Sequence, residues 1–256
     1  MKSLYDLPQV YDIVMNRPAQ VVESEVQSIL ALLAQHGIGK AKILELACGA
    51  CAHGIPLAQA GNQVVGLDRS PAMLAEAQRR AQIAEVEIVT AVGDVTNFDL
   101  GVSDFDAAIF MFETFPLITE YDDIASHFGA VRRHMKQGGI YVIDVDAGKH
   151  GVRTEPGEWG RKTVSLPDGR VETWCEDLPG DWVQATNHMV LHCRICSGDR
   201  VYETRDDWVI RLYSPWELAL LARALEGWQL DGFYAWQDLS ADIADQDHYF
   251  VVLVAG

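Results

Sequence analysis

The chain has 256 residues, 49% of them hydrophobic, and a net charge of −17 with its acids spread along the length. That size suits one large domain, or one domain with a sizeable insertion, and such a surface repels phosphate backbones and anionic lipid, which argues against nucleic-acid or membrane partners. Residues 1–8 show no apolar leader, no run is apolar enough to span a bilayer, and the five cysteines have no disulfide-framework spacing, so a reduced, cytoplasmic protein is expected.

In chain order, residues 21–36 carry apolar positions at helical spacing and stop at Gly37. Lys42-Ile43-Leu44-Glu45-Leu46 reads as a buried strand, followed by a turn of small residues, Ala47-Cys48-Gly49-Ala50-Cys51-Ala52, and a short helix over 54–60. Such a turn lets backbone pass close to a nucleotide-like ligand. A second strand, Gln63-Val64-Val65-Gly66-Leu67, ends on Asp68, and Ser70-Pro71 caps a helix running to Gln82. Val86-Glu87-Ile88-Val89 predicts a third strand that leads to Gly93-Asp94-Val95. Phe105-Asp106-Ala107-Ala108-Ile109-Phe110-Met111 is a fourth, 122–135 a helix, and Gln137-Gly138-Gly139 a turn into a fifth strand over 140–145. The alternation implies a parallel sheet with right-handed crossovers.

From about 158 to 213 the pattern changes to four alternating runs, separated by Pro167-Asp168-Gly169, Pro179-Gly180-Asp181 and Ser197-Gly198-Asp199, which read as turns of an antiparallel meander. Ser214-Pro215-Trp216-Glu217 then caps a helix, and two strands, 228–236 and 247–254, close the chain.

Three strands closing on acids make a site for a hydroxyl-rich, cationic ligand. A dinucleotide reading wants G-x-G-x-x-G, whereas the first turn has one glycine, and Glu45 would sit near a pyrophosphate. The same residues resemble the class I S-adenosylmethionine-dependent methyltransferases. Glu45-Leu46-Ala47-Cys48-Gly49 is similar to that family's first motif, Asp68 to its ribose-binding acid, Gly93-Asp94-Val95 to its adenine-contacting segment, 105–111 to its fourth-strand motif and 135–139 to the turn before its fifth strand. The resemblance covers about 40–146 plus the final helix and strands, and its small-molecule branch includes glycine and amino-sugar N-methyltransferases. Cys51 departs from it, standing where a further glycine is usual, so a slightly wider turn or a different loop conformation is expected.

The resemblance implies an α/β, Rossmann-like, doubly wound seven-stranded sheet with an antiparallel β-meander insertion after the fifth strand. Residues 1–150 form the S-adenosylmethionine-binding core with an N-terminal cap, 151–213 a lid and substrate insertion, and 214–256 the end of the core sheet. It further implies that Ala47 and Gly49 face the methionine part of S-adenosylmethionine, with Glu45 near the ammonium and Asp68 on the ribose. Gly93, Asp94 and Val95 flank the adenine, with Arg69 and Met73 beside the ring, Phe110 and Met111 at the fourth strand's tip, and Tyr11 in the cap.

Methyl transfer from a sulfonium needs alignment and exclusion of water, with a base only for a protonated acceptor. The acceptor is expected between Phe112, Phe115 and the insertion, with Arg211 available to a substrate carboxylate. Glu113 suits an ammonium, which points to an amine nitrogen on a small molecule; His188 is a second candidate base, weighed against a solvent-facing strand histidine. An O-directed or soft-metalloid acceptor and a non-catalytic S-adenosylmethionine-binding module stay open as alternatives, no metal is called for, and a monomer or homodimer fits equally.

Overall fold

A computed structural model describes residues 3–15, 17–146 and 148–256. Met1 and Lys2, part of the opening stretch read above as leaderless, lie outside the described residues, as do Asn16 and Ala147. The chain divides into two compact units, Met1–Arg17 with His150–Leu212, and Pro18–Lys149 with Tyr213–Gly256.

Helix α1 (Pro8–Met15) belongs to the smaller unit. The larger unit then alternates α2 (Ala19–Gln35), β1 (Lys42–Leu46), α3 (Gly54–Gln59), β2 (Gln63–Asp68), α4 (Pro71–Ile83), β3 (Ile88–Val92), β4 (Phe105–Phe110), α5 (Tyr121–His134) and β5 (Met135–Asp146). The smaller unit holds β6 (Gly157–Leu166), β7 (Gly169–Asp181), β8 (Thr186–Ser197) and β9 (Arg200–Arg211). The larger unit finishes with α6 (Pro215–Ala224), β10 (Trp228–Tyr234) and β11 (His248–Ala255).

The larger unit's sheet runs β10-β11-β5-β4-β1-β2-β3, parallel except at β11, which is antiparallel to both neighbours. The central strands are almost continuously apolar because both faces are covered. Leu44, Leu46, Phe110 and Tyr141 bury on one side with Phe115 and Phe128; Ile43, Ile109 and Val142 bury on the other with Leu32 and Leu74. Strand order reverses between β1 and β4, so the loops leaving those two strands diverge and open a crevice at their carboxyl ends. Two helices, α4 and α6, start on side-chain caps: Ser70 Oγ accepts from Met73 N (3.2 Å), and Ser214 and Glu217 form a reciprocal box. No described helix is long and apolar enough to cross a membrane.

In the smaller unit β6 to β9 pair consecutively and antiparallel. The N-terminal segment, expected within the 1–150 core, belongs here instead. Leu4 and Val14 bury with Val171, Leu191 and Ile195, and Leu4 N donates to Asp206 on β9 (3.0 Å).

Three local expectations also shift. Pro179-Gly180-Asp181 is the end of β7, and the hairpin turn is 182–185. Gly180 permits close strand approach at a register irregularity, since a Cβ there would lie 2.4 Å from the Thr186 carbonyl. The third strand begins at Ile88, because Val86 N still donates to Ala81 at the end of α4. Gln137-Gly138-Gly139 lies inside β5.

Candidate active site

The loop after β1 is built on left-handed backbone at alternate residues: Ala47 (φ 47°), Gly49 (φ 51°) and Cys51 (φ 55°). Each non-glycine residue held so costs about 1–2 kcal/mol. Short-range bonds hold the path, with Cys48 N donating to Leu67 O (3.0 Å) and Cys51 N to Cys48 O (2.7 Å). Glycine at 49 avoids both the left-handed penalty and a tight contact, since a Cβ would stand 3.2 Å from Met73 Cε.

Cys51 was expected to widen this turn slightly or to change its conformation. The backbone instead keeps the left-handed path a glycine takes, and the room comes from β2. A Cβ on Gly66 would lie 2.7 Å from Cys48 Sγ and 2.9 Å from Cys51 Sγ, so glycine there makes space for both sulfurs. The Cys48 hydrogen bond together with burial pushes the Cys51 thiol far up, which keeps it protonated.

Beneath the loop lies a buried polar column. Glu45 on β1 is 2% exposed, and burial raises its carboxyl to about 7 against the opposing pull of His53. Its Oε2 meets no hydrogen-bond partner among the described residues. His53 Nδ1 stands 3.8 Å from Glu45 Oε1, and His53 Nε2 lies 2.8 Å from Glu25 Oε2 on α2. Gly54 admits Glu45 at all, because a Cβ there would meet Oε2 at 2.3 Å.

Asp68, at the tip of β2, accepts from Gly49 N on one oxygen and Ser70 N on the other, both at 2.8 Å. Each oxygen keeps one lone pair. Asp94 follows β3 and is exposed; Thr96 N–H, the Thr96 hydroxyl and the charge of Arg69 hold its carboxyl below the usual range. Gly93 packs against Leu67, which a Cβ would approach to 2.8 Å. Val95 is fixed from behind, where its carbonyl accepts from His127 Nδ1 (2.8 Å). His127 Nε2 therefore accepts from the Tyr141 hydroxyl (2.7 Å), a neutral arrangement matched by burial pulling the ring down to about 4.

The loop after β4 departs from expectation in its aromatic residues. Phe110 and Phe115 are fully buried, packed edge to face with ring centroids 6.2 Å apart. Phe115 also packs on Phe128 and Tyr213, so it forms core and not an acceptor wall; only the backbone of Phe110 can face a ligand. Met111, 4% exposed, packs into the opposite apolar layer. Phe112 (φ 64°) and Glu113 (φ 52°) are both left-handed, and the Thr114 hydroxyl donates to Met111 O (2.9 Å). Glu113 N donates to Asp144 Oδ2 on β5 (3.2 Å), and Glu113 Oε1 stands 3.3 Å from His248 Nδ1 at the start of β11.

Glu45 and Asp68 near the ends of β1 and β2, Met73 in the first turn of α4, and Ala47, Gly49, Gly93, Asp94, Val95 and Glu113 in the loops thus gather at the carboxyl edge of one sheet. His188, Arg211 and Tyr11 belong to the smaller unit. There His188 Nε2 faces Asp207 across β9 at 3.5 Å, Arg211 ends β9 opposite Thr186, and Tyr11 packs on Tyr5. Asp144, His248, Glu25, His53, Gly54 and Gly66 escaped the sequence reading. Of these, only the Cys-x-x-Cys beside a strand glycine left a local signal.

Residues 43–139 match a sequence family described as a methyltransferase domain. The dTDP-3-amino-3,6-dideoxy-alpha-D-glucopyranose N,N-dimethyltransferase of Streptomyces fradiae is 27% identical over 139 residues, 54% of this chain and 52% of that protein. The chain spans about half the length of the first curated relatives it matches. Among solved structures, an S-adenosylmethionine-dependent methyltransferase from Clostridium acetobutylicum ATCC 824 superposes with a TM-score of 0.79 at 15% identity, covering 97% of each chain. The sugar N-methyltransferase KedS8 from Streptoalloteichus sp ATCC 53650 gives 0.77 at 18% identity, over 96% of this chain and 92% of that one. Residues 43–139 therefore match a methyltransferase domain, and the chain has the fold of solved S-adenosylmethionine-dependent methyltransferases.

Proposed function

We propose that the chain transfers a methyl group from S-adenosylmethionine to an amine nitrogen of a small-molecule acceptor. The observation that carries this reading is the set of acids Glu45, Asp68 and Asp94 at the carboxyl ends of three adjacent strands, β1, β2 and β3, inside the stretch that matches the methyltransferase domain. The donor set fits the cofactor. Glu45 supplies a buried carboxyl beneath the first loop, suited to balance an ammonium above it, and Asp68 keeps two lone pairs suited to ribose hydroxyls. Ala47 and Gly49 stand beside them where the methionine part would lie, while Gly93, Asp94, Val95, Arg69 and Met73 suit the adenine.

When bound, the sulfonium supplies an electrophilic methyl. The protein's part is to hold the acceptor nitrogen in line and to neutralise its ammonium, for which Glu113 and Asp144 supply negative charge. The amino-sugar N,N-dimethyltransferase among the relatives supports an amine acceptor. A reducing, cytoplasmic setting suits five unpaired thiols. Calorimetric titration tests the reading: S-adenosylmethionine and its thioether product bind, NAD does not, and Asp68→Asn weakens both. Absence of S-adenosylmethionine binding overturns it.

A further inference from the structure

The carboxyl ends of β4 and β5 gather titratable groups that the cofactor side does not use. Because β11 runs antiparallel to β5, its first residue, His248, enters the sheet opposite Asp146, beside the loop that follows β4. Its Nδ1 lies 3.3 Å from Glu113 Oε1, and the two side chains are 35% and 37% exposed. Glu113 is held by an unusual backbone. Both it and Phe112 are left-handed without being glycine, and its N–H is tied to the buried Asp144. Strain of this kind persists where surrounding structure enforces it, and it aims the Glu113 carboxylate at the ring.

We propose that His248, oriented by Glu113, is the proton acceptor for an ammonium-bearing substrate; this rests on the amine-directed reading above. A carboxylate facing Nδ1 favours the tautomer with the proton on that nitrogen, leaving the Nε2 lone pair as acceptor. One N–H bond of the substrate ammonium breaks as an N–H bond forms at Nε2. The freed nitrogen lone pair then takes the methyl, while the electron pair of the broken carbon–sulfur bond stays on sulfur. The imidazolium formed is compensated by Glu113 and returns its proton to solvent at the ring's exposed edge. Glu113 is thereby a positioning residue. The other charged groups nearby are Asp144 and Asp146 on β5, and Asp247, which Lys149 approaches at 3.7 Å.

The test has two arms. Nitrogen-15 NMR of the histidine rings in the ligand-free protein, read at a pH where they are neutral, places the His248 proton on Nδ1, and Glu113→Gln removes that bias; a neutral wild-type ring with its proton on Nε2 overturns the assignment. In the second arm, primary amines, amino sugars among them, are screened for S-adenosylhomocysteine release. On any amine that turns over, His248→Gln lowers kcat/KM at neutral pH by about 100-fold or more. The loss shrinks above the amine's own pKa, where the acceptor arrives deprotonated, and Glu113→Gln gives a smaller loss of the same pH form. A pH-independent loss marks a structural role and overturns the proposal, as does no loss. Calorimetry keeps the two readings apart, since His248→Gln binds S-adenosylmethionine like the wild type. Failure of the wild type to bind it, or to methylate any amine, sinks the underlying reading instead.

Discussion

Replacing Glu45 by Gln should make the ligand-free protein more stable at alkaline pH and a poorer binder of its cofactor. Glu45 is buried on β1, and its carboxyl sits at about 7 in place of 4.5. Over that interval the folded state holds a proton that the unfolded chain has released, so stability falls as pH rises, and the loss is complete above pH 7. At about 1.36 kcal/mol per pKa unit, the wild type loses about 2.5 kcal/mol between pH 5 and pH 8 through this residue. Gln keeps the shape of the protonated acid and cannot ionise, so the variant escapes this loss.

The whole-protein curve hides the effect, because His127 works in the opposite direction. Burial pulls its ring from 6.5 to about 4. Below pH 6.5 the unfolded chain gains a proton that the folded state refuses, and stability falls as pH drops, by about 2 kcal/mol at pH 5. Both proteins share His127, so it cancels in their difference. Urea unfolding of wild type and Glu45→Gln at pH 5 and pH 8, without ligand, should show the variant's relative stability rising by about 2.5 kcal/mol. The same difference at both pH values would refute the assignment of the raised carboxyl to Glu45.

The same ionisation predicts that S-adenosylmethionine affinity falls towards tenfold per pH unit below pH 7, because a cationic ligand needs Glu45 charged; calorimetry across pH 5.5–8 should show this slope in wild type and not in Glu45→Gln. Gly66→Ala should cost about 1–3 kcal/mol, since the new methyl meets both sulfurs, and Cys51→Ala in that background should recover part of it in a double-mutant cycle. Tyr141→Phe leaves His127 Nε2 buried without its donor and should cost about 1–3 kcal/mol, measured by urea unfolding.

What was readable in the sequence was what short-range chemistry writes there. Strands buried on both faces read as apolar runs, Ser70-Pro71 and Ser214 to Glu217 wrote their own caps, and the acids at strand ends marked the carboxyl edge of the sheet. What stayed hidden depends on residues far apart in sequence. The compensation for Cys51 lies on a neighbouring strand at Gly66, and Glu45 faces His53 at the start of α3, which Glu25 of α2 holds from its other side. Gly180 looked like a turn residue because proline and aspartate flank it, yet its use is close approach to the Thr186 carbonyl. Phe115 looked like a pocket wall because it follows a strand tip, but a single 3-10 turn folds it back into the aromatic core. His248 read as one more residue of a closing strand, and only the antiparallel entry of β11 brings it to Glu113.

Strain and function fall together in this sheet. Ala47, Cys51, Phe112 and Glu113 are four of the seven described non-glycine residues with left-handed backbone, and all four lie in the two loops flanking the point where strand order reverses. At about 1–2 kcal/mol each, they consume a sizeable part of the 5–15 kcal/mol by which a domain is usually stable. Asp68 and Asp144 hold these loops through single backbone hydrogen bonds to Gly49 and Glu113. Glu45 adds a further cost above pH 7. A crevice optimised for stability alone would have glycine at these backbone positions and an amide or apolar residue at 45. On the reading proposed above, the strained, charged residues there serve to hold a cation and to direct a proton.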